Sequence, residues 1–367
     1  LNVKGGGFLV AGERYPVTGP AELAYIFQVD PNGVIQRSRI FDGGGNMAEA
    51  LAAKNTLDGG YIIAGRAERT IVANNIFMNM SSEMRYLYLL KIHGQGNPVW
   101  SKKYNTGQQV RMTRANEVYA CKDGGYIVAG EFKYNDSRKD LDMGLLKVSK
   151  NGDVIWAKQF GGTEMDAGTE VLETLDGGYI IAGETESFGS GKLDICLIKT
   201  DKSGNKLWAK TYGGAGHDQI GAITELGDGR IAVVGKTTRG NSKNVQALLL
   251  MLDKNGNQLS SQGFGGSGID IGVSVIPSGT GLIIGANSMS FGAGGMDLLV
   301  IKHDLANAGA CNSSSTDITA KTFAPKITDM TSRVVTEVVN ESTSIKVIGS
   351  GTTEVENIKL NGKNVCK

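Results

Sequence analysis

One eight-residue string, DGGYIIAG, stands at Asp58–Gly65 and again at Asp176–Gly183, and with Val for one Ile at Asp123–Gly130. Looser copies end at Gly12, Gly235 and Ala286, and the steps between successive copies are about 53, 65, 53, 52 and 51 residues. A near-constant period of this length means that one small structural unit is repeated along the chain. Neighbouring units must then bury each other's apolar faces.

Each unit reads as four short strands, clearest in EVLET, GYIIAG, DICLIKT and KLWAKTY of the fourth copy. The turns between them, DGG and KSGN, supply the Gly and Asn residues that tight hairpins require. Four antiparallel strands per repeat of about 50 residues predict an all-β chain, a β-propeller of four-stranded antiparallel blades. A solenoid would use fewer strands per repeat, running parallel. Counting the GYIIAG strand gives six blades over residues 1–328, with seven as the alternative reading. Residues 329–367 are expected to hold a closing strand and a tail, or a degenerate seventh blade. In the first copy only LNV remains of the innermost strand, and Thr331–Asn340 resembles EVLETLD, so this C-terminal strand is expected to close the ring. ITAKTFAP, which parallels LWAKTYGG, is expected to be the outer strand of the last blade.

A net charge of +1 offers no basic stripe for nucleic acid and no polybasic membrane anchor. No apolar run is long enough to span a bilayer. The first residue, Leu1, falls inside a repeat, which is expected of a processed or incompletely represented N-terminus. Cys121 and Cys196 sit in apolar strand patterns as buried thiols. Cys311 and Cys366 bracket the tail, and a disulfide between them would suit an extracellular, cell-surface or periplasmic protein.

The repeat DGGYIIAG, then DxxLIKxDxxGNxxW, then KxYGG, resembles the secreted and surface β-propeller repeat proteins of bacteria and archaea. Its DxxGNxxW part, with Asp201, Gly204, Asn205 and Trp208, is also similar to the blade motif of quinoprotein-type propellers. The likeness covers about residues 1–325 and implies the fold, with no single activity attached. Trp occurs at its place only as Trp100, Trp156 and Trp208, replaced elsewhere by Arg37, Ser260 and Thr319. These Trp side chains are expected to pack blade on blade. No adjacent cysteine pair of the quinoprotein enzymes is present.

Catalytic signals are sparse. His93 and His303 are expected on surface turns, no two His share a metal-ligand spacing, and neither GxSxG nor a P-loop occurs. One polar set recurs: Asp166, Asp218 and Asp270, spaced by 52 residues each, at the start of the innermost strand, with Arg111 and Glu49 at the matching earlier places. Two readings stand. They form a partial acidic ring at a channel mouth that could hold Ca²⁺, or each accepts hydrogen bonds from its own turn. Asp142, Asp194 and Asp297, opening the third strand, pose the same choice. The long second step carries an insertion of about a dozen residues, roughly Ala67–Arg85, with Ile71, Val72, Ile76, Phe77, Met78, Met80 and Met84. An apolar, Met-containing loop fits a docking site for another protein chain, or it folds back over its neighbours.

The reading that joins these features is a non-catalytic propeller, extracellular or on the cell surface, working as an interaction or assembly module. Its partner is another protein chain, a surface assembly or a copy of itself. A cation-dependent enzyme or lyase at the channel mouth is the alternative, and a glycan-binding propeller a third.

Overall fold

The computed structural model describes Leu1–Val338 apart from residues 4–5, 15–21, 45–46, 76–77, 106–113, 133–140, 239–243, 293, 307–312, 317 and 330–334; residues 339–367 are outside the described set. Every regular element among the described residues is a strand. The chain forms two compact units, Leu1–Phe160 with Ile327–Glu354, and Gly161–Lys326 with Val355–Lys367.

The first unit holds three antiparallel sheets. Sheet one is β1 (Phe8–Arg14), β2 (Leu23–Val29) and β3 (Ile35–Phe41). Sheet two is β4 (Met47–Asn55), β5 (Tyr61–Asn75), β6 (Met78–Ile92) and β7 (Pro98–Asn105), and sheet three is β8 (Arg114–Ala120), β9 (Tyr126–Phe132), β10 (Asp142–Val148) and β11 (Val154–Gly161). The second unit repeats the plan. Sheet four is β12 (Asp166–Glu173), β13 (Tyr179–Thr185), β14 (Asp194–Thr200) and β15 (Lys206–Gly213). Sheet five is β16 (Asp218–Glu225), β17 (Ile231–Thr238), β18 (Val245–Leu252) and β19 (Gln258–Phe264), and sheet six is β20 (Asp270–Ser278), β21 (Gly281–Ser288) and β22 (Asp297–Asp304). Ahead of β1, Asn2 forms an antiparallel bridge with Phe8. Leu1 and Leu9 exchange backbone hydrogen bonds of 2.8 and 2.7 Å.

Strand alternation explains the doubly apolar runs. Side chains leave a strand on opposite faces, so a sheet buried on both sides needs apolar residues at every position. In sheet two, Ile63, Tyr88 and Leu90 join a core with Leu9, Ile26 and Phe41 of sheet one. Their neighbours Ile62, Leu87 and Leu89 join a second core with Val118, Val128 and Leu146 of sheet three. In the second unit, Val234 and Leu249 pack against Leu282 and Ile284 in the same manner. Sheet six leaves Leu298 and Val300 exposed at 71% and 63%, where the matching Ile195 and Leu197 of sheet four are fully buried.

The Gly that ends YIIAG has a steric cause. The innermost strand carries a β-bulge between Ala50 and Ala52 in sheet two, and between Ala115 and Glu117 in sheet three. The bulge drives a carbonyl against the facing Gly: a Cβ on Gly65 would lie 1.9 Å from the Glu49 oxygen, and one on Gly130 would lie 2.0 Å from that of Arg114. Only a residue without a side chain fits there.

The C-terminal segment departs from expectation. It adds four short strands, β23 (Ser313–Ser315), β24 (Thr319–Thr322), β25 (Lys326–Asp329) and β26 (Val335–Val338), each on the outermost strand of a different sheet. The ITAKTF stretch lies on β15 of sheet four, not on β22 of the last sheet. TSRVVTEVVN supplies β26, which pairs with β7 of sheet two and not with sheet one. Sheets four and two already have their four repeat strands, so these are edge additions, and Phe323 anchors one by stacking on Phe188 at 4.4 Å.

Candidate functional site

Most repeat-borne polar residues prove to be structural. The Lys of the LIK motif lies buried beneath the DGG turn. Lys91, Lys147 and Lys199 each place Nζ 2.9 Å from the turn Asp, at Asp58, Asp123 and Asp176. Burial pushes the Asp58 carboxyl up, but Thr56, Lys91 and the Gly60 amide donate to it and hold it down at about 2. Asp176 is held at about 2 by the same balance, with Thr174, Lys199 and Gly178 donating.

The W-x-K-x-Y strand grips the turn of the next sheet in its own unit. Trp100 Nε1 donates to the Lys150 carbonyl at 3.1 Å, Lys102 to Asp153 at 2.8 Å, and the Tyr104 hydroxyl to the Gly152 carbonyl at 2.6 Å. Lys210 and Tyr212 repeat this on Asn257 and Gly256. Arg37, in the Trp position of sheet one, donates to the Gln95 carbonyl at 2.9 Å, one residue further along the turn than the carbonyl that Trp100 meets.

Asp166, Asp218 and Asp270 each accept hydrogen bonds from their own turn. Each is buried and turned into its own loop. Asp166 accepts from Gly162 N, Ser187 Oγ and Thr185 Oγ1; Asp270 from Gly266 N, Ser290 Oγ and Ser288 Oγ; and Asp218 from Gly214 N. At Asp166 and Asp270, hydroxyl and amide donors take lone pairs that a cation would need. Asp194 likewise accepts from Ser190 N and Gly191 N. Arg111 is outside the described residues.

The carboxylates that do converge belong to the first unit. Glu13, Glu22 and Glu49 offer oxygens all within 4.8 Å of one another, a spacing that could hold a metal ion. Arg66 pairs with Glu49, and Glu68 lies 3.3 Å from Arg66 and 2.6 Å from Arg85. Burial, the hydrogen bond with Glu22 and the nearby Glu13 outweigh Arg66 and push the Glu49 carboxyl up to about 7. Glu13 and Arg66 each follow the last Gly of a GYIIAG copy, as does Glu131, which Arg114 meets at 3.0 Å. That shared phase was the signal in the sequence, hidden because the residue type changes sign from copy to copy.

This cluster sits at the root of the insertion, which is a ribbon and not a loop. β5 and β6 pair continuously from Tyr61↔Ile92 to Asn75↔Met78, with Glu68 opposite Arg85. β4 accompanies β5 only as far as Glu68, and β7 accompanies β6 only from Leu87. Beyond those points the arm is two strands wide among the described residues. Ile71, Val72, Met78, Met80 and Met84 are on its strands, while Ile76 and Phe77 are outside the described residues.

The remaining expectations divide. His93 is exposed, but His303 is buried, edge-on to the Phe264 ring at 6.1 Å, because the last sheet packs this residue against β19. Cys121 and Cys196 are buried free thiols; Cys311 and Cys366 are outside the described residues. No helix among the described residues is long and apolar enough to cross a membrane.

The residues above define an all-β chain of repeated antiparallel sheets with a projecting ribbon. No family model matches the sequence, and no curated protein matches it. Among solved structures, the chain is similar to a crystal structure of a protein of unknown function from Dyadobacter fermentans. The identity is 13%, the TM-score 0.46, and the match covers 80% of this chain and 92% of that one.

Proposed function

We propose that this chain is a six-bladed β-propeller acting as a non-catalytic interaction or assembly module, which engages another protein chain through the β5–β6 arm. One observation carries the reading: the arm extends as a two-stranded ribbon past the last pairing of β4 and β7. A two-stranded ribbon alone is marginal in water and presents unpaired N–H and C=O groups along both edges. A strand of a partner added to such an edge gains main-chain hydrogen bonds over its whole length. Six repeated sheets with the docking contacts of Trp100, Tyr104, Lys210 and Tyr212 support the propeller. The extracellular or cell-surface location follows from the resemblance of the repeat.

The test is a chain in which Glu68 and Arg85 are joined by a two-residue Asn-Gly turn. Its sheets should fold unchanged by circular dichroism, and its association with itself or with co-purifying chains should fall below detection in sedimentation. Undiminished association would remove the arm from the function.

A further inference from the structure

We propose that a cleft in the second unit binds a small apolar monocarboxylate, with the Lys236 ammonium as its counter-charge. The cleft has a volume of about 260 Å³ and opens between β13, β16, β17 and β20. Glu184, Gln219 and Lys236 line it as polar side chains, and Ile220, Ile271 and Val273 as apolar ones.

The charge of Lys236 is unmatched where its counterparts in the first unit are matched. Glu184 and Lys236 follow the last Gly of their repeat copies, the position that Arg66 and Glu131 hold in the first unit. There Arg66 faces Glu49 across the β4–β5 ladder, Glu131 faces Arg114 across β8–β9, and both couples form ion pairs. Lys236 faces Gln219, a neutral amide. Among the described residues its ammonium has no hydrogen bond and no ion pair, while Glu184 has a partner of its own. A half-buried cation without a counter-charge, on the wall of a cleft, favours an anionic occupant.

The walls select among anions. One ammonium balances one negative charge, and the Glu184 carboxylate in the same cleft repels a second. The ammonium and the Gln219 amide nitrogen both donate to carboxylate oxygens. Ile220, Ile271 and Val273 take an apolar chain, and a volume of roughly nine water molecules at ~30 Å³ each suits a short one. The frame behind these groups is fixed. β16 and β20 bulge at Gly221 and Val273, and a Cβ on Gly221 would lie 2.0 Å from the Gly272 carbonyl oxygen, so the two strands touch there.

The test is calorimetric titration of the full chain with acetate, isocaproate, its neutral amide, and succinate as a dianion. Isocaproate should bind at a single site, at least about tenfold more tightly than the other three. Lys236→Met should weaken it at least about tenfold with an unchanged circular dichroism spectrum, and Lys302→Met, an exposed lysine of sheet six, should leave it unchanged. No binding of isocaproate overturns the proposal, and so does binding that survives Lys236→Met. Acetate or succinate bound as tightly as isocaproate overturns it too, because the apolar wall or the single charge would then play no part. A chain with the β5–β6 arm shortened should bind isocaproate like the full chain, so the cleft and the arm stand or fall separately.

Discussion

Lys199 places its ammonium 2.9 Å from the Asp176 carboxylate, the lysine nearly buried and the aspartate largely exposed. The pair joins the third strand of a sheet to the turn that precedes its second strand, and sheets two and three contain the same pair. In sheet five the lysine is replaced by Met251, and there Asp228 takes Arg230 from its own turn, at 2.7 Å. Without the lysine, the turn aspartate of sheet five is thus kept and takes another cation.

That asymmetry of burial sets a prediction. Asp176→Ala strands a buried ammonium and should cost about 2–3 kcal/mol, whereas Lys199→Met should cost less than about 1 kcal/mol. Combining the two should recover most of the loss. Urea unfolding of the four chains checks this, and equal costs for the single substitutions would contradict it.

Trp100 offers a second comparison, because Arg37, at the same strand position, also bonds a backbone carbonyl of the next sheet's turn. Trp100→Arg should be tolerated within about 1 kcal/mol, while Trp100→Ala should cost about 2–3 kcal/mol through lost packing on Gly152 and the lost bond to Lys150. Thermal unfolding of both variants decides it.

Gly130 faces a bulge carbonyl at a distance no side chain fits. Gly130→Ala should therefore destabilise by about 1–3 kcal/mol although alanine is the better-behaved residue in most settings. Gly59, at φ 78° in an open turn, should instead tolerate Asn. Chemical denaturation of the two variants separates the close approach from the turn.

Glu49 keeps its proton up to about pH 7 in the folded chain, far above the ordinary glutamate value of 4.5. Between those limits the folded state binds more protons than the unfolded one, so this group makes stability fall as pH rises from 4.5 to 7. Glu49→Gln should flatten the slope of melting temperature against pH in that window, and an unchanged slope would contradict it.

His303 works in the opposite direction. Burial lowers its value below the ordinary 6.5, so the unfolded chain binds the proton more readily. Stability from this group is full above 6.5 and is lost as pH falls below it. His303→Phe, next to Phe264, should remove that acid-side loss while keeping the packing, as melting curves from pH 7 to 5 would show.

The period of the repeat, the alternation within YIIAG and LIK, and the glycines of the turns were enough to determine an all-β chain of repeated antiparallel sheets. Those features act between residues close in sequence or one repeat apart, where strand geometry leaves few choices. They also placed Trp100 and Trp208 at contacts between sheets. Tertiary structure alone decided the rest. The three spaced aspartates share a phase, but phase does not say which groups a carboxylate meets, and donors close by in sequence hold each one. His303 looked like a turn residue until a neighbouring sheet covered it. The C-terminal strands were read by likeness to repeat strands, yet the likeness of TAKT to WAKT does not name its partner. An edge strand bonds through its backbone, which every residue but proline shares, so the choice of edge lies in the three-dimensional path of the chain.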